Sequence, residues 1–425
     1  MRILYLTQWF DPEPNVIKGP RFARALEAAG HEVAVVTGFP NYPTGRLYPG
    51  YHLSLLKRET IDGVGITRLP LYPSHDSSSL RRSLNYLSFF ASALIYGLFR
   101  RRRFDLAYVY HPPMTVGLAA ALSGLVRRLP FVIEIQDLWP DTVAATGMGS
   151  PALVRLLGLT CGFVYRRASS IVVQSEGMRR ILIERGVPAA KIATIRNWAG
   201  HEPEQTPAAD PAAAEGFSVV YAGNHGRSQA LETVLEAAKL IERLRQDVRF
   251  HFYSGGIEAE RLKASAARMG LKSVTFHGHV PSEEIQKAFA GADALLLHLR
   301  DGPLFEITVP SKTQTYLAMG RPIVAGISGE TADLLRQSGA AVVAPPEQPQ
   351  ALAEAISTLA DMPRGQREAM GQAGRRFYLE QLSFEQAIAR TLRVLEGVRA
   401  GAGVVSEDRA RPRQVAAPAA AGRRR

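Results

Sequence analysis

Cysteine is nearly missing from this chain: Cys161 stands alone among 425 residues. One thiol allows neither an intramolecular disulfide nor a cysteine-only zinc cage, so packed cores must hold the fold, and a reducing cytosolic setting suits it. Long apolar runs are lacking too. The most apolar stretch, residues 84–99, is shorter than the about 20 residues a spanning helix needs. At the N-terminus, Arg2-Ile3-Leu4-Tyr5-Leu6 reads as a first strand, not as a cleavable signal. No Gly-x-Gly-x-x-Gly follows that strand, which argues against a dinucleotide-dependent oxidoreductase. No Asp-x-Asp stands where it could hold a divalent ion, so none is expected in the chemistry. Acids are under-represented, 39 against 51 Lys and Arg, and the net charge of +12 favours an anionic partner. Membrane lipid, nucleotide sugar and nucleic acid all meet that description.

What is present points to two α/β domains. Length makes two domains the natural expectation, and a hydrophobic content of 46% supplies two cores. Residues 2–7 read as a strand, followed by the loop Gln8-Trp9-Phe10-Asp11-Pro12-Glu13-Pro14, a helix over 21–29 stopped by Gly30, and a second strand over 31–37. That β–loop–α–β opening starts a doubly wound sheet. Further strands are expected at 63–71, 105–110, 131–135 and 171–176, and a first domain over 1–198. Residues 199–216, rich in Pro, Ala and Glu, read as a linker. A second domain follows over 217–382, then a helix over 383–400 opened by the capping box Ser383-Phe384-Glu385-Gln386. The basic Ala/Pro/Arg-rich tail, 401–425, is expected to be disordered.

Between Arg81-Arg82 and Arg100-Arg101-Arg102-Arg103, the apolar piece 83–99 has two readings. It is an interfacial helix whose Arg clusters meet anionic headgroups, or a domain helix with solvated ends. Residues 155–167, amphipathic and basic, offer a second membrane contact. Glu134 lies inside an apolar strand, where a carboxylate is either functional or paired for structural reasons. Asp137, at the carboxyl end of that strand, is a catalytic candidate with N-capping as its alternative.

In the second domain, Gly223-Asn224-His225-Gly226-Arg227 is a glycine-spaced loop between strand and helix, a geometry suited to phosphate. The stretch Val309-Pro310-Ser311-Lys312-Thr313-Gln314-Thr315-Tyr316 reads as a loop entering a helix, with Ser311 as N-cap and Gln314 completing a capping box. Gly320 and Pro322 end that helix before the apolar Ile323-Val324. Lys312 would add a cation to the positive helix end, a ready seat for phosphate, although a capped surface helix with a solvated lysine explains the same letters.

This last stretch resembles the phosphate- and ribose-binding helix of family 4 glycosyltransferases. The similarity continues in Val274-Thr275-Phe276-His277-Gly278-His279-Val280 and in the end of the first half at Ile195-Arg196-Asn197-Trp198. The bacterial branch that includes the L-fucosamine transferases of O-antigen and capsule assembly is the most similar. The resemblance implies a GT-B fold of two Rossmann-like domains facing a cleft, with the last helix returning across it. It implies transfer of a sugar from a nucleotide-diphosphate donor, a UDP-sugar, with retention of configuration. The implied acceptor is polyprenyl-diphosphate-linked, at the cytoplasmic face of the inner membrane, with no cofactor and no role for nucleic acid. It places Gly19 in the cleft, Gly278 and Val280 at the base, Gly223, Asn224 and Arg227 with Ser311 and Lys312 at the diphosphate, and Pro310 and Thr315 near the ribose. The sequence departs from the family at three points: Gln136 occupies the usual histidine place, Asn224 and Gln229 stand where Arg and Lys are common, and the two-glutamate signature is absent. Ile307 and Thr315 hold its two positions; Glu306, one residue off, remains a candidate facing the sugar. A nucleotide-sugar epimerase of the same shape, and a non-enzymatic basic membrane-binding protein, are the rival readings.

Overall fold

The computed structural model describes residues 1–14, 17–74, 79–111, 113–145, 150–200, 202–203 and 216–401. Most of the linker and the basic tail, and with them the expectation of disorder at 402–425, lie outside the described residues. Short runs of β-branched and aromatic residues, apolar on both faces, become the parallel strands of two sheets, as expected where helices cover both sides. The first sheet comprises β1 (Arg2–Leu6), β2 (Glu32–Gly38), β3 (Lys57–Ile61), β4 (Val64–Leu69), β5 (Leu106–His111), β6 (Phe131–Ile135), β7 (Ser170–Val173) and β8 (Ile192–Thr194), in the order β3-β4-β2-β1-β5-β6-β7-β8. The second comprises β9 (Phe217–Ala222), β10 (Val248–Tyr253), β11 (Val274–Gly278), β12 (Ala294–His298), β13 (Ile323–Gly326) and β14 (Ala341–Ala344), in the order β11-β10-β9-β12-β13-β14. The chain is a GT-B protein of two Rossmann-like halves.

All pairings are parallel except β3 with β4. In each sheet the first strand is central and the winding reverses beside it: β1 lies between β2 and β5, and β9 between β10 and β12. Ligands of open α/β sheets bind at that reversal, outside the carboxyl ends of the strands. The loops that matter are therefore those after β1, β5, β6, β9, β11 and β12.

The lobes are tied at two places. Glu330, in the first turn of the Gly329–Ser338 helix, accepts the N–H groups of Glu176 (3.0 Å) and Gly177 (2.8 Å) and pairs with Arg196 at 2.7 Å. Those N–H groups open the Glu176–Glu184 helix, whose dipole favours an anion there. On the other side, the Phe384–Arg399 helix packs on the first lobe. Phe384, Ala387, Ile388, Val394 and Leu395 share a core with Phe22, Leu26 and Trp198. Ser383 caps this helix by accepting from the N–H of Gln386 at 3.4 Å.

The Ser79–Phe99 helix buries Asn85, Phe89 and Ala93 against the first sheet and leaves Leu80, Leu84, Leu87, Ala91, Ile95 and Phe99 exposed. That three-to-four spacing is one continuous apolar stripe along the outer face. No helix among the described residues is long and apolar enough to cross a membrane.

Candidate active site

On the second lobe, the carboxyl end of β9 runs into Gly223, whose φ of +142° lies where side chains are strained. A second constraint acts there: a Cβ on Gly223 would sit 2.3 Å from Cε of Lys312. Lys312 extends from the first turn of the Ser311–Met319 helix and lies along this glycine. Its ammonium bonds the Tyr221 hydroxyl and stands 4.0 Å above the Tyr221 ring. Desolvation by the surrounding protein, with no carboxylate partner among the described residues, pushes the Lys312 ammonium down to about 7. A half-buried lysine beside a glycine and a helix N-terminus has the makings of an anion seat. Replacing Gly223 by alanine is expected to lift Lys312 from its seat and add roughly 1–3 kcal/mol of backbone strain. The measurable results are a weaker UDP affinity and a lower melting temperature; unchanged UDP binding would remove Gly223 from the seat.

Neighbouring loops hold this seat from below. The Tyr221 hydroxyl donates to the carbonyl of Asn224 (2.7 Å), His225 N–H to Gly255 (2.9 Å) and Glu258 N–H to His225 (2.9 Å). Gly256 leaves no space for a side chain, since a Cβ would meet the Asn224 side-chain oxygen at 2.4 Å and the His225 backbone at 2.6 Å. Gly278, at φ +73°, ends β11 and accepts the N–H of Ser254 at 2.6 Å, with Val280 just beyond it.

The other expected donor residues differ in placement. Arg227 is 79% exposed and its guanidinium pairs with Glu258 at 3.4 Å, so the cation that lies on Gly223 is Lys312. Pro310, not Ser311, is the N-cap: its backbone is extended, Ser311 is already helical, and no side chain caps this end. The expected capping box is therefore not formed. With its amide nitrogen turned inward, Gln314 reaches the carbonyls of Pro310 (2.8 Å) and Ser311 (3.2 Å). Thr313 N–H already donates to the Pro310 carbonyl at 2.9 Å, so this uncapped end offers a ligand the N–H groups of Ser311 and Lys312. The Thr315 hydroxyl donates to the Ser311 carbonyl at 3.2 Å, leaving its lone pairs to accept from a ribose hydroxyl. Glu306 ends the short Pro303–Glu306 helix and is exposed.

On the first lobe, Asp137 follows β6 with an accessible side chain in a concave setting whose bulk raises its carboxyl above the usual range. Glu134 does not face solvent: its side chain is 1% exposed and forms an ion pair with the equally buried Lys18 at 3.1 Å. It also accepts from Tyr108 and, at 2.6 Å, from Gln136. With its oxygens engaged by three donors, Glu134 is a buried brace under the cleft. Lys18 is further enclosed by the rings of Phe22 and Trp198, each 4.4 Å away, and its burial lowers its affinity for a proton while Glu134 opposes that. Gly19 is the N-cap of the Pro20–Ala28 helix with φ −83°, a conformation any residue adopts. Gln136, in the place of a histidine, is held by an amide cluster: Asn197 donates to its side-chain oxygen (3.0 Å) and Gln174 to its carbonyl (3.0 Å).

Sequence reasoning passed over Lys18, Tyr221 and Glu13. Glu13 is 3% exposed and accepts the N–H groups of Asn41 (2.7 Å), Tyr42 (2.7 Å) and Phe10 (3.2 Å), fastening the loops after β1 and β2. Burial raises its carboxyl to about 7. Its signal was weak: one acid in a proline-rich loop.

Comparison with known proteins bears on the family and the fold. A glycosyl transferase 4-like domain matches residues 20–198, and the domain of glycosyl transferases group 1 matches residues 216–362. Together these two models take in both lobes. The chain belongs to the family 4 glycosyltransferases. A relative in Escherichia coli, WcaI, assigned to colanic acid biosynthesis as a glycosyl transferase, is 28% identical over 360 residues, covering 80% of this chain and 86% of that one. Among solved structures, sucrose-phosphate synthase from Thermosynechococcus elongatus superposes with a TM-score of 0.69 at 16% identity, over 95% of this family member and 100% of that chain. HepE of Anabaena, solved with UDP and glucose, superposes with a TM-score of 0.65 at 15% identity, over 93% and 99%.

Proposed function

We propose that this glycosyltransferase moves a sugar from a UDP-sugar to a polyprenyl-diphosphate-linked acceptor during exopolysaccharide assembly, with retention of configuration. The observation that carries the donor half is Lys312, half-buried against Gly223 at the winding reversal with no carboxylate partner among the described residues. As the bond from the anomeric carbon to the β-phosphate oxygen breaks, negative charge grows on that phosphate. Lys312 and the uncapped helix N-terminus stabilise it in place of water. With that charge met by protein groups, a divalent metal is not required. Asp137 and Glu306 are the exposed carboxylates assigned to the acceptor and the sugar; Glu134, held by Lys18, Tyr108 and Gln136, braces β6 of the first lobe. WcaI's place in colanic acid biosynthesis supports an exopolysaccharide setting, and the UDP bound by HepE supports the donor class.

The apolar stripe of the Ser79–Phe99 helix, with Leu153, Leu156 and Leu159 exposed on the Pro151–Arg167 helix, supports peripheral seating at the cytoplasmic face of the inner membrane. The acceptor lipid would then meet the cleft from the bilayer. The test is a panel of UDP-sugars with a lipid-diphosphate-linked sugar acceptor, in vesicles and in the presence of a chelator. Sugar transfer to the lipid, with the donor's anomeric configuration kept, is expected. Epimerisation of free UDP-sugar without acceptor, or loss of transfer on chelation, would contradict the reading.

A further inference from the structure

A recess of about 780 Å³ opens at the end of the first lobe opposite the cleft. Its floor is the amino-terminal start of β2 (Val33, Ala34) and of β4 (Gly65, Ile66), whereas the site loops leave the carboxyl ends of the strands. Its walls have two characters. Leu56, Ile95 and Phe99 make an apolar side, with Ile95 and Phe99 belonging to the exposed stripe. Arg58, Arg100, Arg101 and Arg102 make the other. The nearby acids are already engaged: Glu59 by Lys57 and Arg68, Glu32 by Arg102.

Arg100 is the unusual member. It is 8% exposed, and among the described residues it pairs with no carboxylate and its Nε has no hydrogen-bond partner. Its side chain donates from Nη1 to the Arg102 carbonyl at 3.4 Å, the one such bond among the described residues, and the Phe104 ring lies 5.3 Å away. Burial, and after it the like charge of Arg127, lowers the guanidinium's hold on its proton, while the Tyr96 hydroxyl, which also lines the recess, opposes that. A buried cation left unpaired is costly, and a group that persists in that state is explained by an anion that completes it.

We propose that this recess seats one acidic phospholipid, its phosphate on Arg58, Arg100 and Arg101 and its acyl chains along Leu56, Ile95 and Phe99. The proposal rests on the membrane reading above and adds a lipid-specific site to it. Charge complementarity selects an anionic headgroup, and the apolar wall selects an amphiphile over a free anion. The polyprenyl-linked acceptor is excluded by position. Asn85 bonds Gln8 at 2.6 Å in the loop after β1, and Phe99 lies fourteen residues further along the same helix, roughly 20 Å away. A sugar carried on a diphosphate held at the recess would lie too far from the loops after β1, β5 and β6 to meet a donor sugar in the cleft.

The test uses the full chain and two lipid probes. In flotation, the wild type is expected to bind phosphatidylcholine vesicles containing phosphatidylglycerol more tightly than neutral ones. Arg58→Gln with Arg100→Gln should reduce that preference by about tenfold or more, since each arginine near an anionic surface contributes about 1 kcal/mol. Ile95→Trp, at an exposed position, should fill the recess while keeping the stripe apolar. Its expected result is normal binding to neutral vesicles with loss of saturable binding of monomeric dihexanoyl-phosphatidylglycerol. Leu84→Asp with Leu87→Asp should do the reverse, losing the bilayer and keeping the short-chain lipid. Dihexanoyl-phosphatidylglycerol binding that survives in Ile95→Trp overturns the site. So does displacement of that lipid by equimolar inorganic phosphate. Retention of neutral-vesicle binding by the Leu84/Leu87 variant would instead overturn the membrane reading, leaving the short-chain lipid result to stand or fall separately.

Discussion

Replacing Lys312 by methionine is expected to lower kcat/KM by about a hundredfold to a thousandfold, the range for losing one preorganised group at a developing anion. The fold should survive. Methionine fills the space beside Gly223 and Tyr221 without a charge, and the structure carries that charge at a cost. The Lys312 ammonium is pushed from 10.5 down to about 7 by burial. Between those values the unfolded chain binds more protons than the native one, so stability rises with pH across that window. The penalty is fully present below about pH 7 and gone above the unfolded value. At neutral pH and without ligand, the variant should melt no lower than the wild type while its turnover collapses. A variant that loses stability in proportion to activity would make Lys312 a structural residue instead.

The second large effect is on stability. Glu134→Ala is expected to cost about 3–5 kcal/mol, because it strands Lys18 as a buried cation and leaves Tyr108 and Gln136 without their acceptor. Native proteins hold roughly 5–15 kcal/mol in total, so a loss of that size is readily seen in urea unfolding. Replacing both partners, Glu134→Leu with Lys18→Met, should recover much of the loss. Glu134→Gln should keep measurable turnover at low temperature. If the double variant is no better than Glu134→Ala, the ion pair is not the source of the effect. If Glu134→Gln is folded but inactive, the carboxylate takes part in the reaction after all.

The doubly wound organisation was legible because parallel strands buried on both faces read as apolar runs. β6, Phe131–Ile135, and β12, Ala294–His298, are such runs. β3, Lys57–Ile61, was missed: as an antiparallel edge strand of sequence Lys-Arg-Glu-Thr-Ile it carries the charges that guard an edge, and nothing in it marks a core. Lys312 stood out as a candidate from its place at a helix start. Its seat was not, since Gly223 and Tyr221 come from a strand about ninety residues away. Glu134 and Lys18 show the same limit more strongly: a buried acid in a strand has two meanings, and its partner, 116 residues earlier, decides between them. The capping box around Ser311 failed for a local reason. Pro310 takes the extended N-cap conformation itself, which moves Ser311 inside the helix.

The central claim is that Lys312 receives the donor's diphosphate, and its proton reports on that directly. An ammonium held near about 7 in the empty site should regain a proton when an anion arrives. Calorimetric titration with UDP at pH 7.5, in buffers of different ionisation enthalpy, is therefore expected to show net proton uptake in the wild type. Lys312→Met should bind more weakly and lose most of that uptake. Equal affinity and equal uptake in the two proteins would contradict the account.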